Sequence, residues 1–99
     1  MILILGTIRF DPAQASEARE LGCRVSGPSL EEDGCLHYSV GFDARYPDRL
    51  QVAEFWRDAA AFQAHLDSPH VRAFREALAR IRVQERAIQR WEIPAAQPL

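Results

Sequence analysis

Ninety-nine residues suffice for one domain of ordinary size, so any site must be built within a single core or between subunits. A hydrophobic fraction of 47% with 26% charged residues excludes a disordered or fibrous chain. The formal net charge of -2 excludes the basic face that nucleic acid requires, and the use of Arg for all twelve basic positions reads as codon bias rather than anion recognition.

Met1–Phe10 has the β-branched and apolar content of a central strand. Its first five residues lack the basic start and cleavage site of a signal peptide, and Arg9 ends the run short of a membrane span, so a cytoplasmic location with no membrane partner is expected. Asp11-Pro12-Ala13-Gln14 is a helix start, with Asp11 placed to accept an early backbone N–H and Pro12 needing no donor. Ala18, Leu21 and Val25 then form a core stripe, and Gly27-Pro28 is expected to interrupt the helix, leaving Ser29–Glu32 as a turn or irregular continuation.

Cys35–Asp43 alternates Leu36, Tyr38, Val40 and Phe42 against Cys35, His37, Ser39 and Gly41, the pattern of a half-buried strand. Cys23 and Cys35 read as reduced residues in or near the core. After a loop over Asp43–Arg49, Leu50–Arg57 is a third strand with Val52, Glu54 and Trp56 on one face and Ala53 and Phe55 on the other. Asp58 caps a short helix over Ala59–Leu66, and Ser68-Pro69 restarts it with the stripe Val71, Phe74, Leu78 and Ile81. Arg82–Ile93 is the closing strand, so the domain covers residues 1–93 and residues 94–99 form a tail.

Strand, helix, strand, strand, helix, strand is the split βαββαβ order of an α+β, ferredoxin-like fold: a four-stranded antiparallel sheet with its helices on one side. The strands are apolar on both faces, which predicts a second copy packed on the open one, giving a homodimer of the dimeric α/β barrel kind.

Three stretches carry a family likeness: Asp33-Gly34-Cys35-Leu36-His37-Tyr38, Glu54-Phe55-Trp56-Arg57-Asp58 and Ala64-His65-Leu66-Asp67-Ser68-Pro69-His70. In that order and spacing the chain resembles the antibiotic biosynthesis monooxygenase family from its first strand to Trp91. The resemblance implies a dimeric barrel and oxidation of a small aromatic quinol or phenol by molecular oxygen, without metal, flavin or other cofactor. The same fold also serves proton-transfer isomerases acting on small carbonyl compounds, haem-degrading enzymes and non-catalytic ligand-binding modules.

Cofactor-free oxygenation needs a base and a dry apolar cavity. His65, beside Phe62 and Leu66 on the broken helix, is the expected base, its alternative role being to fix the break. Glu54 is the second catalytic candidate, able to relay a proton, and Trp56 on the same strand face is a candidate pocket wall, though both also suit a structural role. His37, Phe62 and His70 complete the substrate-binding candidates, with His37 open to either pocket or dimer interface and His70 to a local capping role. No metal site is expected, because His37, His65 and His70 lack the short helical spacing that builds one. Some quinol-oxidising relatives place an Asn in the pocket; this chain has none, and Thr7 is the polar substitute expected on the first strand.

Overall fold

The computed structural model describes residues 1–99 as β1 (Ile2–Arg9), α1 (Ala15–Leu30), β2 (Cys35–Phe42), β3 (Arg49–Trp56), α2 (Ala59–Leu66), α3 (Pro69–Leu78) and β4 (Glu85–Glu92), with short 3-10 turns before α1 and after α3. The strands pair antiparallel throughout in the order β2-β3-β1-β4, the arrangement expected of the split βαββαβ pattern. Alternation sorts the side chains: Ile2, Ile4 and Ile8 of β1 and Leu50, Val52, Glu54 and Trp56 of β3 are buried under the helices. Leu3 and Leu5 of β1, Phe55 of β3 and Trp91 of β4 share the other face, to which no helix is packed.

Two apolar clusters fill the helix side. One joins Ile8, Phe10, Leu50, Leu78 and Ile81 near the start of α1. The other joins Ile2, Ile4, Val25, Tyr38, Trp56 and Val71 at the opposite end, against the junction of α2 and α3.

The expected interruption at Gly27-Pro28 does not occur, and α1 runs unbroken to Leu30 with Pro28 inside it. Pro28 removes the backbone donor to the Arg24 carbonyl, and the nearby hydroxyl bonds, Ser29 Oγ to the Val25 carbonyl and Ser26 Oγ to the Gly22 carbonyl, both at 2.5 Å, go to other carbonyls and do not replace it. Val25 and Ser29, 1% and 0% exposed, are anchored in the core, so burial carries the last turn past the proline. The strict alternation expected along β2 also fails, because the register slips between Cys35 and His37. This bulge expels Leu36, which is 54% exposed, while Tyr38, Val40 and Phe42 keep the inward face.

Two further expectations are corrected. Cys23 lies on the exposed side of α1 and not in the core. The closing strand begins at Glu85 rather than Arg82, since the 3-10 turn Ala79–Ile81 ends on Arg82 in the left-handed region at φ 53°. All eight residues of β4 are exposed, because the helix layer does not reach this edge of the sheet.

Candidate functional site

Chemistry-bearing side chains gather where α2 gives way to α3. Asp58 Oδ1 accepts the Ala61 N–H and starts α2. Ser68 Oγ accepts from the Val71 N–H and donates to the His65 carbonyl at 2.6 Å, so a single hydroxyl both ends one helix and begins the next. This break turns His65 and His70 toward each other, their ring centroids 5.9 Å apart.

His65 is 3% exposed and enclosed by rings: Trp56 at 4.5 Å, Tyr38 at 5.4 Å and Phe62 at 6.2 Å between centroids. Such a wall excludes water and leaves the imidazole few polar partners. The partner on one side is Glu32, two residues beyond α1, whose Oε2 lies 2.6 Å from His65 Nδ1 and 3.0 Å from His70 Nε2. An ionised carboxylate only accepts, so both ring nitrogens donate to it, and neutral His65 keeps its lone pair on Nε2. That nitrogen stands 3.6 Å from Glu54 Oε2, too far for a hydrogen bond.

Glu54 Oε2 is in turn held by the Trp56 Nε1–H at 2.9 Å. Burial pushes the Glu54 carboxyl above its ordinary range and the nearby Glu32 charge adds to this, while the Trp56 N–H, and the His65 ring whenever it is protonated, pull it down. Burial likewise holds the Tyr38 phenol well above its ordinary range, so it remains a neutral donor. The chain His70, Glu32, His65, Glu54, Trp56 therefore runs from a half-buried rim to a sealed interior.

His65, Glu54 and Tyr38 line a cavity of about 160 Å³ together with Phe62, Phe74 and Ile88. Gly6 of β1 lets cavity-lining Ile88 of β4 approach closely, since a Cβ at Gly6 would come within 2.4 Å of the Ala87 carbonyl oxygen and the Ile88 Cα. A larger groove of about 410 Å³ lies between α1 and β2, lined by Ala18, Gly22, Cys23, Val40 and Phe42 among others, and brings together no comparable set of acid–base groups.

Five of the six residues singled out from sequence converge: His65, Glu54, Trp56, Phe62 and His70. His37 does not; it pairs with Phe55 on the open face of the sheet and is exposed. Thr7 is also outside the cavity, bonded to Gln51 Oε1 on that same open face. Glu32 is the residue that sequence reasoning missed, hidden in an acidic run, Glu31-Glu32-Asp33, that resembles any solvated turn. Gly34, at φ 83° and with a Cβ position only 2.5 Å from Ala61, brings this turn close against the start of α2.

The helix break also overturns the spacing argument against a ligand cluster, since one donor atom each from Glu32, His65 and His70 falls within 4.8 Å of the others. A carboxylate and two imidazoles could hold a divalent ion. Ligands about 2.0–2.1 Å from a tetrahedral ion sit roughly 3.3 Å from one another, and the 2.6 Å between Glu32 and His65 is instead a hydrogen-bond length. As arranged, the three groups form a hydrogen-bonded relay that would have to spread to take a metal.

Comparison with known proteins agrees with this placement of the fold. Residues 1–77 match the sequence model of the family described as Antibiotic biosynthesis monooxygenase. The Escherichia coli (strain K12) protein named Probable quinol monooxygenase YgiN is 30% identical over 88 residues, covering 79% of this chain and 85% of that protein. A crystal structure from Deinococcus radiodurans whose name places it in the same family superposes with a TM-score of 0.90 at 28% identity, covering 100% of this chain and 98% of that one. The Pseudomonas aeruginosa protein PA3566 gives a TM-score of 0.85 at 26% identity, over 95% and 94% of the two chains.

Proposed function

Since the chain belongs to the antibiotic biosynthesis monooxygenase family, we propose that it is a cofactor-independent monooxygenase that oxidises a small aromatic quinol or phenol with molecular oxygen, His65 acting as the base. The observation that carries this reading is the buried Glu32–His65 pair at 2.6 Å beside an apolar cavity. Glu32 fixes the tautomer and ring orientation, so the Nε2 lone pair is free to take a phenolic proton, and the carboxylate faces the positive charge the ring then gains.

The resulting phenolate passes one electron to oxygen, and the radical pair combines into a carbon-bound peroxide. Loss of water from that peroxide leaves one oxygen atom in the product and the other in the water. Aromatic walls keep competing water out during these steps. Glu54 serves as the second proton station, 3.6 Å from His65 Nε2, and the neutral Tyr38 phenol can donate to the developing oxyanion or peroxide. The open sheet face, carrying Leu3, Leu5, Phe55 and Trp91, is proposed as the seat of a second copy of the chain.

Oxygen uptake with a panel of single-ring and fused-ring quinols tests the assignment. Wild type is expected to exceed autoxidation, and His65→Ala and His65→Gln to lose roughly 10²–10⁴ of that rate. Circular dichroism establishes that either variant is folded. Turnover at buffer level for wild type on every substrate would remove the proposal. Turnover that persists under argon would replace it with a proton-transfer isomerase using the same His65 and Glu54.

A further inference from the structure

The mouth of the His65 cavity differs sharply in charge from its interior. Arg75 of α3 and Arg86 of β4 line the same cavity as Glu54, His65 and Tyr38. The pairing of β4 with β1 fixes the side of the sheet that Arg86 occupies: it lies opposite the buried Ile8, as Ile88 lies opposite Gly6, so Arg86 shares the helix-side face of β4 with cavity-lining Ile88. Because the helix layer stops short of β4, this face borders an open groove instead of a packed core.

Other arginines near acidic groups use them: Arg9 pairs with Glu85, Arg57 with Asp33 and Arg90 with Glu92. Arg75 and Arg86 have no carboxylate within 4.0 Å, and neither donates a side-chain hydrogen bond within the chain. Two exposed arginines without a carboxylate partner thus line one cavity from different elements, while the carboxyl group of the cavity, Glu54, lies buried within it. A ligand carrying negative charge at one end has a single favourable orientation here: anionic end outward, neutral hydroxyl end inward toward His65.

Cavity size limits the rest. An enclosed apolar cavity of about 150 Å³ accommodates one benzene ring, and this pocket, open on its β4 side, has about 160 Å³. A single ring matches that volume, and a substituent on it directed to the open side would reach the exposed Arg75 and Arg86.

We propose that Arg75 and Arg86 form an anion-recognition site at the cavity mouth, making the substrate a single-ring phenol or quinol that bears a carboxylate or similar anionic group. This assignment rests on the aromatic-substrate reading above and narrows it.

Binding measured under argon, where no oxidation occurs, separates the two. The probes are 4-hydroxybenzoate and its neutral isostere 4-hydroxybenzamide, followed by calorimetry or by quenching of tryptophan fluorescence. Wild type is expected to bind the carboxylate about tenfold more tightly at low ionic strength, and the preference should fade near 1 M salt as screening shortens. In the Arg75→Gln/Arg86→Gln double variant the ratio should approach one, with each single variant intermediate and all variants melting as cooperatively as wild type. Equal affinities in wild type, a preference that survives in the double variant, or no binding of either probe at millimolar concentration would each overturn the anion site. A preference that follows the arginines while no quinol is oxidised would uphold the anion site and remove the oxygenase reading. Oxidation of quinols with no preference would do the reverse.

Discussion

Glu54 is held where its charge is least welcome, on the buried face of β3 between the Trp56 indole and the His65 ring. Burial, first among the causes, moves its titration above the ordinary carboxylate range. The folded chain therefore binds the Glu54 proton more tightly than the unfolded chain does, and between the two titrations the native state carries more protons. Stability must fall as pH rises through that interval, and the penalty persists above it. Glu54→Gln keeps an oxygen for the Trp56 N–H and does not ionise, so its melting temperature relative to wild type should be higher at about pH 7 than at about pH 4, while turnover declines. Parallel melting curves at all pH values would show that Glu54 is not destabilised by ionisation in the fold. Glu54 itself was legible in sequence from its strand alternation with Val52 and Trp56. Glu32 was not, because its role arises only when a turn at one end of α1 meets a helix break more than thirty residues later.

The break between α2 and α3 converts separate side chains into a site, and it was fully legible: Asp58 and Ser68-Pro69 are start signals, and both caps form. Pro28 was misleading for a reason that local rules cannot supply, since Val25 and Ser29 on either side of it are 1% and 0% exposed and their burial holds the final turn. The extra turn is what delivers Glu32 to the two histidines. Ser68 is the pivot on the other side, buried and bonded both to His65 and to Val71. Ser68→Ala should destabilise the fold by about 1 kcal/mol through loss of the cap, lowering the melting temperature by roughly 4–8 °C for a domain of this size. Turnover should drop by a larger factor than the loss of folded protein explains, because the Glu32–His65–His70 geometry loosens with the cap. An unchanged rate per folded molecule would mean the histidines are positioned by the ring cluster alone.

For the whole molecule, strand alternation made the two faces of the sheet legible, but not how far the helices would cover them. On the helix side, β1 and β3 are sealed and β4 stays open, which makes room for the cavity and for Arg86 at its edge. On the opposite face, His37, Phe55, Leu3 and Trp91 lie in one row across all four strands, with Leu5 two residues along β1. Leu5 and Trp91 are 41% and 42% exposed in the single chain. Several large apolar groups in adjoining positions on one face exceed the scattered exposure that a monomer tolerates, and the solvated face of an antiparallel sheet is ordinarily polar, which this one is not. A second copy related by a two-fold axis would cover the row with the same row and place both His37 side chains at the seam. Sedimentation of the wild-type chain should therefore give twice the 11.2 kDa of one chain down to low micromolar concentration. Leu5→Glu, which would put a carboxylate against its own copy across the axis, should shift the equilibrium to monomer by at least tenfold in dissociation constant, the equivalent of about 1.4 kcal/mol. A monomeric wild type at those concentrations would leave this face to a different partner, and a Leu5→Glu variant as dimeric as wild type would place the contact elsewhere on the sheet.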